Sequence, residues 1–404
     1  ALAAAALRKP DRLSYPAILS AAVSVDQVAG FRAFGLEILS LYKLGILALL
    51  LPCFLKYGAR LRLAYPAAAM VGLLFITFVL SDWPERMSAG LAAKSFVGLT
   101  IPFLLLLVRW EPKTAENHVR LLSLLPAVSV AAGLVFQAAG IRPMLDVEFT
   151  GAVRLQGANI APHLAMLAFV AIGAALIEAK RRPDRARFYY GTAAANFAIL
   201  AATGTRGPML ALAALAVWFF AGLVRGFLRG RAKLIVPIAG AVAILVSVAY
   251  LQWDNLMKRS FERQTDEGID LSGRTEAWAY FLNKAEGRSW TGGGLGAATV
   301  ANDGTLYEGF VVPHNEYIRF YYDGGYIGSA LLFLALLLAL AAVYRSVGPR
   351  LRMPFAAFAA GFLVYSISDN TLSTVQFIVP FCWYLNGLSL LPGGNPDDKD
   401  VRSR

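Results

Sequence analysis

His314-Asn-Glu-Tyr-Ile-Arg-Phe-Tyr-Tyr-Asp-Gly-Gly-Tyr-Ile-Gly328 lies where a long polar segment, about 252 to 315, meets an apolar run that continues to Tyr344. A block of about 20 apolar residues is the length that spans the hydrocarbon core of a bilayer. The histidine therefore stands at a membrane surface, beside the one sizeable extramembrane region. Outward from this junction the same block length recurs, with candidate spans near 13–30, 35–55, 64–80, 89–108, 119–140, 160–179, 188–203, 208–224, 232–251, 323–344, 354–370 and 374–391. The expected architecture is all-α, a polytopic integral membrane protein of about 12 transmembrane helices with one long outer loop containing short helices. Its parts are 1–251 with helices 1–9, 252–322 with the loop, 323–392 with helices 10–12, and a tail, 393–404.

Composition agrees, at 57% hydrophobic, 16% charged and a mean hydropathy of +0.56. A net charge of +12 in a soluble domain would suggest nucleic acid, but here the basic residues sit in short segments between apolar blocks. No nucleic-acid partner is expected. If the N-terminus is inside, the inner segments hold three to five Lys and Arg each, 24 of the 38 in the chain. The short outer connections hold Arg32, Arg86, the pair Arg142 and Arg154, and Arg206. The positive-inside bias thus puts both termini in the cytoplasm and 252–315 on the opposite side. The first span is weakened by Asp26, yet without it every later loop inverts and the bias reverses.

Cys53 and Cys382 are far apart and lie in apolar blocks, which argues against a disulfide framework. The three histidines, His118, His163 and His314, have no metal-ligand spacing, so no metal and no cofactor is expected. The Ala-rich start lacks the basic flank, apolar core and cleavage site of a signal peptide, so insertion is expected to rely on internal spans. Within the outer region, 274–285 reads as a short helix with Trp278, Phe281 and Leu282 on one face, which is expected to lie on the membrane. Gly292-Gly-Gly-Leu-Gly296 reads as a turn that lets backbone approach another group closely; it has no Gly-Lys-Ser/Thr and is not a phosphate loop.

His314 follows Pro313 and precedes a helical stretch, and the positive end of a helix dipole disfavours imidazolium. A neutral imidazole near pH 7 can take a proton from a hydroxyl. The bland alternative is a histidine bonded to a backbone carbonyl at the interface. Arg206 stands in a tight turn between two spans, where a guanidinium needs an anion, and its donor fork suits phosphate oxygens. Arg154 and Arg274 are similar candidates; Arg288 and Arg319 are further ones, each with snorkelling or a carboxylate partner as the alternative. Asn315 follows the histidine, and Asp369, in Ser366-Ile-Ser-Asp-Asn-Thr371, is placed to orient the His314 ring or to cap a helix. His163 reads as a core or helix-end histidine.

These residues carry a resemblance. His314-Asn315, nine residues, then Gly325-Tyr-Ile-Gly328 is similar to the His-[Asn/Ser/Gln]-x9-Gly-x-x-[Gly/Thr/Tyr] signature of the O-antigen ligases. Arg206-Gly-Pro-Met-Leu210 resembles their Arg-x-x-x-Leu element, and Ser272-Gly-Arg274 with Trp278 resembles a Ser-Gly-Arg…Trp stretch of the wider superfamily of ligases, O-antigen polymerases and protein O-oligosaccharyltransferases. Arg154-Leu-Gln-Gly157 is followed by Pro162-His163 where relatives often have Pro-Asn. The resemblance implies a GT-C-like glycosyltransferase in a Gram-negative inner membrane, with its active site facing the periplasm. It implies an undecaprenyl-diphosphate-linked glycan as donor and lipid A-core as acceptor. His314 would then be the general base of an inverting, metal-independent transfer, with Arg206, Arg274 and Arg154 on the diphosphate. A polymerase or protein oligosaccharyltransferase would share the donor. A transporter would instead line a path with Glu37, Lys43 and Lys94 and show repeat symmetry, which the sequence lacks.

Overall fold

The computed structural model describes residues 9–28, 32–33, 36–59, 61–80, 88–148, 151–261, 274–302 and 312–391. The helices follow one another as α1 (Asp11–Ser20), α2 (Val25–Val28), α3 (Ile38–Tyr57), α4 (Leu61–Val79), α5 (Ala89–Leu104), α6 (Pro112–Ala138) and α7 (Ala161–Arg181). After these come α8 (Ala186–Ala202), α9 (Arg206–Leu228), α10 (Ile235–Phe261), α11 (Arg274–Lys284), α12 (Glu316–Ser346), α13 (Pro349–Ser368) and α14 (Val375–Leu390). Among the described residues six helices are long and apolar enough to cross a membrane, seven if the two halves of α9, bent by 41°, form one span. Three shorter apolar helices, Leu63–Val79, Ala89–Leu104 and Val375–Leu390, accompany them.

The fold differs from the sequence expectation at its start. Of the span expected over 13–30, the described residues hold a helix of 10 residues, α1, then a turn before α2. Ten residues fall well short of the roughly 20 a bilayer core takes. Polar side chains hold α1 in the protein: Tyr57 donates to Asp11, and Ser14 meets Nε2 of the buried His118 at 2.6 Å. Two antiparallel ribbons, β1 (Arg32–Ala33) with β2 (Leu36–Glu37) and β3 (Leu145–Val147) with β4 (Val153–Leu155), also lie outside the all-α expectation. The second matters below, because it carries Arg154 opposite Asp146.

The centre is α7, buried along most of its length between α6, α8, α9, α13 and α14. Lipid tails are as apolar as a leucine, so helices in a bilayer associate through close packing rather than through escape from water. Glycines provide that closeness: Gly173 lies flat against the Phe358 ring, and a Cβ on Gly361 would come within 2.5 Å of the Ala211 carbonyl oxygen. An aromatic column joins Phe169 of α7, Phe358, Phe362 and Tyr365 of α13, and Phe377 and Phe381 of α14, with neighbouring centroids 4.5–5.7 Å apart. Residues 358, 362 and 365 share one helix face, so this column fixes the rotation of α13 and the direction from which Asp369 leaves it.

α12 starts at Glu316, seven residues before the expected span, and is broken at Gly325 (φ 62°, ψ −167°). A break strips partners from the carbonyls before it and the amides after it, and the loop 289–296 supplies them. Gly293 N and Gly294 N donate to the Tyr322 and Asp323 carbonyls at 2.8 and 2.9 Å, while Tyr326 N and Ile327 N donate to those of Ser289 and Trp290 at 2.8 and 3.3 Å. The buried Asp323 carboxylate accepts from Gly296 N at 2.9 Å and Ala298 N at 2.8 Å. The close backbone approach expected of Gly292–Gly296 is this contact: a Cβ on Gly292 would strike the Asp323 backbone, and one on Gly325 the Trp290 backbone.

α11 forms where the sequence places it, but its aromatic face turns to the protein. Phe281 is fully buried against Tyr322 and Ala298, and Trp278 donates its indole N–H to the Pro313 carbonyl at 2.9 Å; Leu282 stays exposed. The reason is that the locked loop and the first half of α12 offer an aromatic partner and an acceptor that a lipid surface does not. Gly325→Ala is expected to lower stability by about 1–3 kcal/mol, since it forces a Cβ into a left-handed break. Thermal unfolding in detergent reads this, and an unchanged midpoint would show that the break tolerates a side chain.

Candidate functional site

His314 stands just outside α12 with a left-handed backbone, φ 47°, the only non-glycine residue with positive φ among those described. Neighbours on both sides hold it there. Pro313 is fastened by the Trp278 indole, and Asn315 caps α12, its Oδ1 accepting from Tyr317 N at 3.0 Å and Ile318 N at 3.2 Å. The imidazole Nδ1 lies 3.2 Å from Nδ2 of Asn370 and 3.5 Å from Oδ1 of Asp369. A carboxylate only accepts, so the Asp369 contact favours the proton on Nδ1 and leaves Nε2 basic. In that tautomer the Asn370 amide turns its oxygen, otherwise without a partner, toward the ring.

Asp369 is suited to this work. Burial pushes its carboxyl up, but the His314 hydrogen bond and charge, the Asn370 N–H and the Arg274 charge together outweigh burial and hold it below the ordinary carboxylate range. Tyr365 adds its hydroxyl at 3.5 Å from Oδ2. Arg274, at the first turn of α11, is thereby close enough for its charge to act on Asp369; Ser272 and Gly273 of the same motif lie outside the described residues.

Arg206 opens α9 after a turn through Gly204 (φ 63°). The next residue, Gly207, packs so closely on the end of α13 that a Cβ there would lie 2.7 Å from Ser368 Oγ and 3.4 Å from the Tyr365 ring. Thus the arginine turn abuts the Asp369 segment. Arg154 reaches the same turn from β4: its Nε donates to the Thr203 carbonyl at 2.9 Å, Nη2 to Thr205 Oγ1 at 3.0 Å, and Nη1 to Glu148 at 2.9 Å. It is a buried brace for the backbone that presents Arg206. Arg288 and Arg319 stand with the lock on α12 instead. The Arg288 carbonyl accepts from Gly292 N at 2.8 Å, and the buried Arg319 faces Glu316 at 3.8 Å, with its charge reaching Asp323 and Lys43. Of the other spanning-segment charges, Glu37 and Lys94 pair with each other.

Sequence reasoning overlooked Glu316. It is fully buried, and its Oε1 accepts from Leu372 N at 2.6 Å, Ser373 N at 3.0 Å and Ser373 Oγ at 3.1 Å. These bonds clamp the 369–374 turn onto the start of α12, which is why Asp369 meets His314. The sequence offers no signal for this clamp, because its partners lie 56 and 57 residues further along the chain. His163, read as core or helix-end, lies half-buried in the first turn of α7 with Nδ1 3.2 Å from Ser24 Oγ.

A carboxyl whose folded pKa is depressed stabilises above its unfolded pKa, about 3.9, and loses that contribution as pH falls through the folded value. Asp369→Asn is therefore expected to lower stability at neutral pH and to flatten the acid side of the stability curve. Unfolding midpoints of the two proteins from about pH 7 to about pH 3 decide this; parallel curves would remove Asp369 as the ionised partner of His314.

Comparison with known proteins gives a family match. The family model described as O-antigen ligase matches residues 191–333, which include Arg206, Arg274 and the whole stretch from His314 to Gly328. No curated protein matches the chain. Members of the matched family are glycosyltransferase-like enzymes, ligases and polymerases. Over residues 191–333, about a third of the chain, the protein is similar to the O-antigen ligase family.

Proposed function

We propose that the protein is an O-antigen ligase, which moves O-antigen polysaccharide from undecaprenyl diphosphate to lipid A-core at the periplasmic face of a Gram-negative inner membrane. The observation that carries this reading is the pairing of His314 with Asp369 beside the Arg274 charge and the Arg206 turn, within and next to the segment that matches the family. A base with its second nitrogen held by a carboxylate and arginines nearby is what displacement of a diphosphate by a sugar hydroxyl requires.

In the proposed step the lipid A-core hydroxyl attacks the anomeric carbon of the donor, and the new C–O bond forms as the bond to the diphosphate oxygen breaks. His314 Nε2 takes the hydroxyl proton, and Asp369 stabilises the resulting imidazolium. The electron pair leaves with the diphosphate, whose growing charge is offset by Arg206 and Arg274. Arg154 contributes through its grip on Thr203 and Thr205, which keeps Arg206 from having to be ordered at each encounter. A single displacement inverts the carbon. With arginines supplying the positive charge, the reaction is proposed to need no divalent metal and no cofactor.

The test is reconstitution in proteoliposomes with lipid-linked O-antigen and purified lipid A-core, scoring the joined product. His314→Ala is expected to lower transfer by at least about 10²-fold while inserting normally, and product formed at the parental rate would rule out His314 as base. Transfer should persist in EDTA, and its loss on chelation would overturn the metal-independent step. Parallel reactions supply a second lipid-linked glycan or a Ser/Thr-containing protein as acceptor. Product only in one of these would replace the ligase reading by a polymerase or an oligosaccharyltransferase.

A further inference from the structure

The first turn of α7 carries a second imidazole whose tautomer is fixed by its surroundings. Asn159 donates both hydrogens of Nδ2, to the Ala22 carbonyl at 2.6 Å and to Ser129 Oγ at 2.8 Å, so its Oδ1 is the acceptor that faces Ser24. Ser24 Oγ gives its one proton to that oxygen at 2.7 Å. What remains on Ser24 is acceptor capacity, taken by Gln376 Nε2 and by His163 Nδ1, each at 3.2 Å. His163 must therefore carry its proton on Nδ1, and Nε2 holds a lone pair. That nitrogen has no partner among the described residues and the ring is half-buried, not sealed in the core.

Position ties this nitrogen to the site. Gln376 is in the first turn of α14, directly after the 369–374 turn that brings Asp369 and Asn370 to His314. The charges of Asp369, Asp26, Arg142 and His314 all reach the His163 ring. Asp26 lies two residues beyond Ser24, and Arg142, whose Nη2 donates to Gln156 at 2.6 Å, comes from the connection that leads into the β3–β4 ribbon. We infer that His163 is a positioning residue for the sugar acceptor: its Nε2 accepts a hydrogen bond from a hydroxyl of the acceptor other than the one that attacks, and so fixes the acceptor ring relative to His314.

This rests on the transferase reading for the identity of the ligand. It differs from a structural role in which nitrogen matters, and two amide substitutions separate them. His163→Asn puts an amide N–H near the Nδ1 position, keeping the Ser24 bond and losing the acceptor at Nε2. His163→Gln puts an amide oxygen near the Nε2 position and gives up the Ser24 bond. In the proteoliposome assay His163→Asn is expected to raise the KM for lipid A-core about tenfold, with the KM for donor unchanged, and His163→Gln to restore most of it. The opposite order, rescue by Asn and not by Gln, or a parental KM in both variants, would overturn the inference. Lipid A-core binding to the same three proteins in nanodiscs, without donor, reads it independently of turnover. Binding weakened by Asn and kept by Gln supports it even where the parent transfers nothing, a result that would sink only the ligase reading. Equal binding by all three overturns it.

Discussion

A helix interrupted inside an apolar layer leaves backbone carbonyls and amides that no water can satisfy, and each must find a protein partner. α12 meets this constraint at Gly325 with backbone from 289–294, and much of the rest follows from it. The loop cannot leave, because it completes the hydrogen bonding on both sides of the break. With the loop in place α11 has a surface to dock on, through Phe281 against Tyr322. With α11 docked, the Trp278 indole holds Pro313, and so the residue before His314. His314 is thus set by a chain of contacts that begins at a broken helix about eleven residues away.

The opposite wall is set by packing rather than hydrogen bonding. The aromatic column through Phe169, Phe362 and Phe377 turns α13 so that Tyr365 and Ser368 meet the α9 turn, where Gly207 admits them closely. Glu316 then joins the two walls through its bonds to Leu372 and Ser373. A buried carboxylate that accepts several N–H and O–H bonds is far more directional than an apolar contact, which suits a joint that must bring one imidazole to one carboxylate.

What the sequence made legible was whatever depends on neighbours along the chain. The apolar blocks show the helices, and the spacing from His314 to Gly328 shows the motif. The arginines are legible as residue types, though the bracing role of Arg154 is not. Glu316 and His163 were illegible for a plain reason: their partners lie 56 and 139 residues away. The first helix departs from the expected span because Asp11 and Ser14 hold it against Tyr57 and His118, partners 46 and 104 residues away. The aromatic face of α11 was assigned to lipid since periodicity shows that a face exists and not what covers it.

A left-handed backbone at a residue that carries a Cβ is held against its own preference, by roughly 1–2 kcal/mol. At φ 47° His314 is such a residue, and glycine would sit there at ease. If His314 is the proposed base, the most stable version of this fold and the most active one are different sequences at position 314. Selection for thermal robustness alone would drift away from histidine there, so on the proposed mechanism position 314 sets activity against stability.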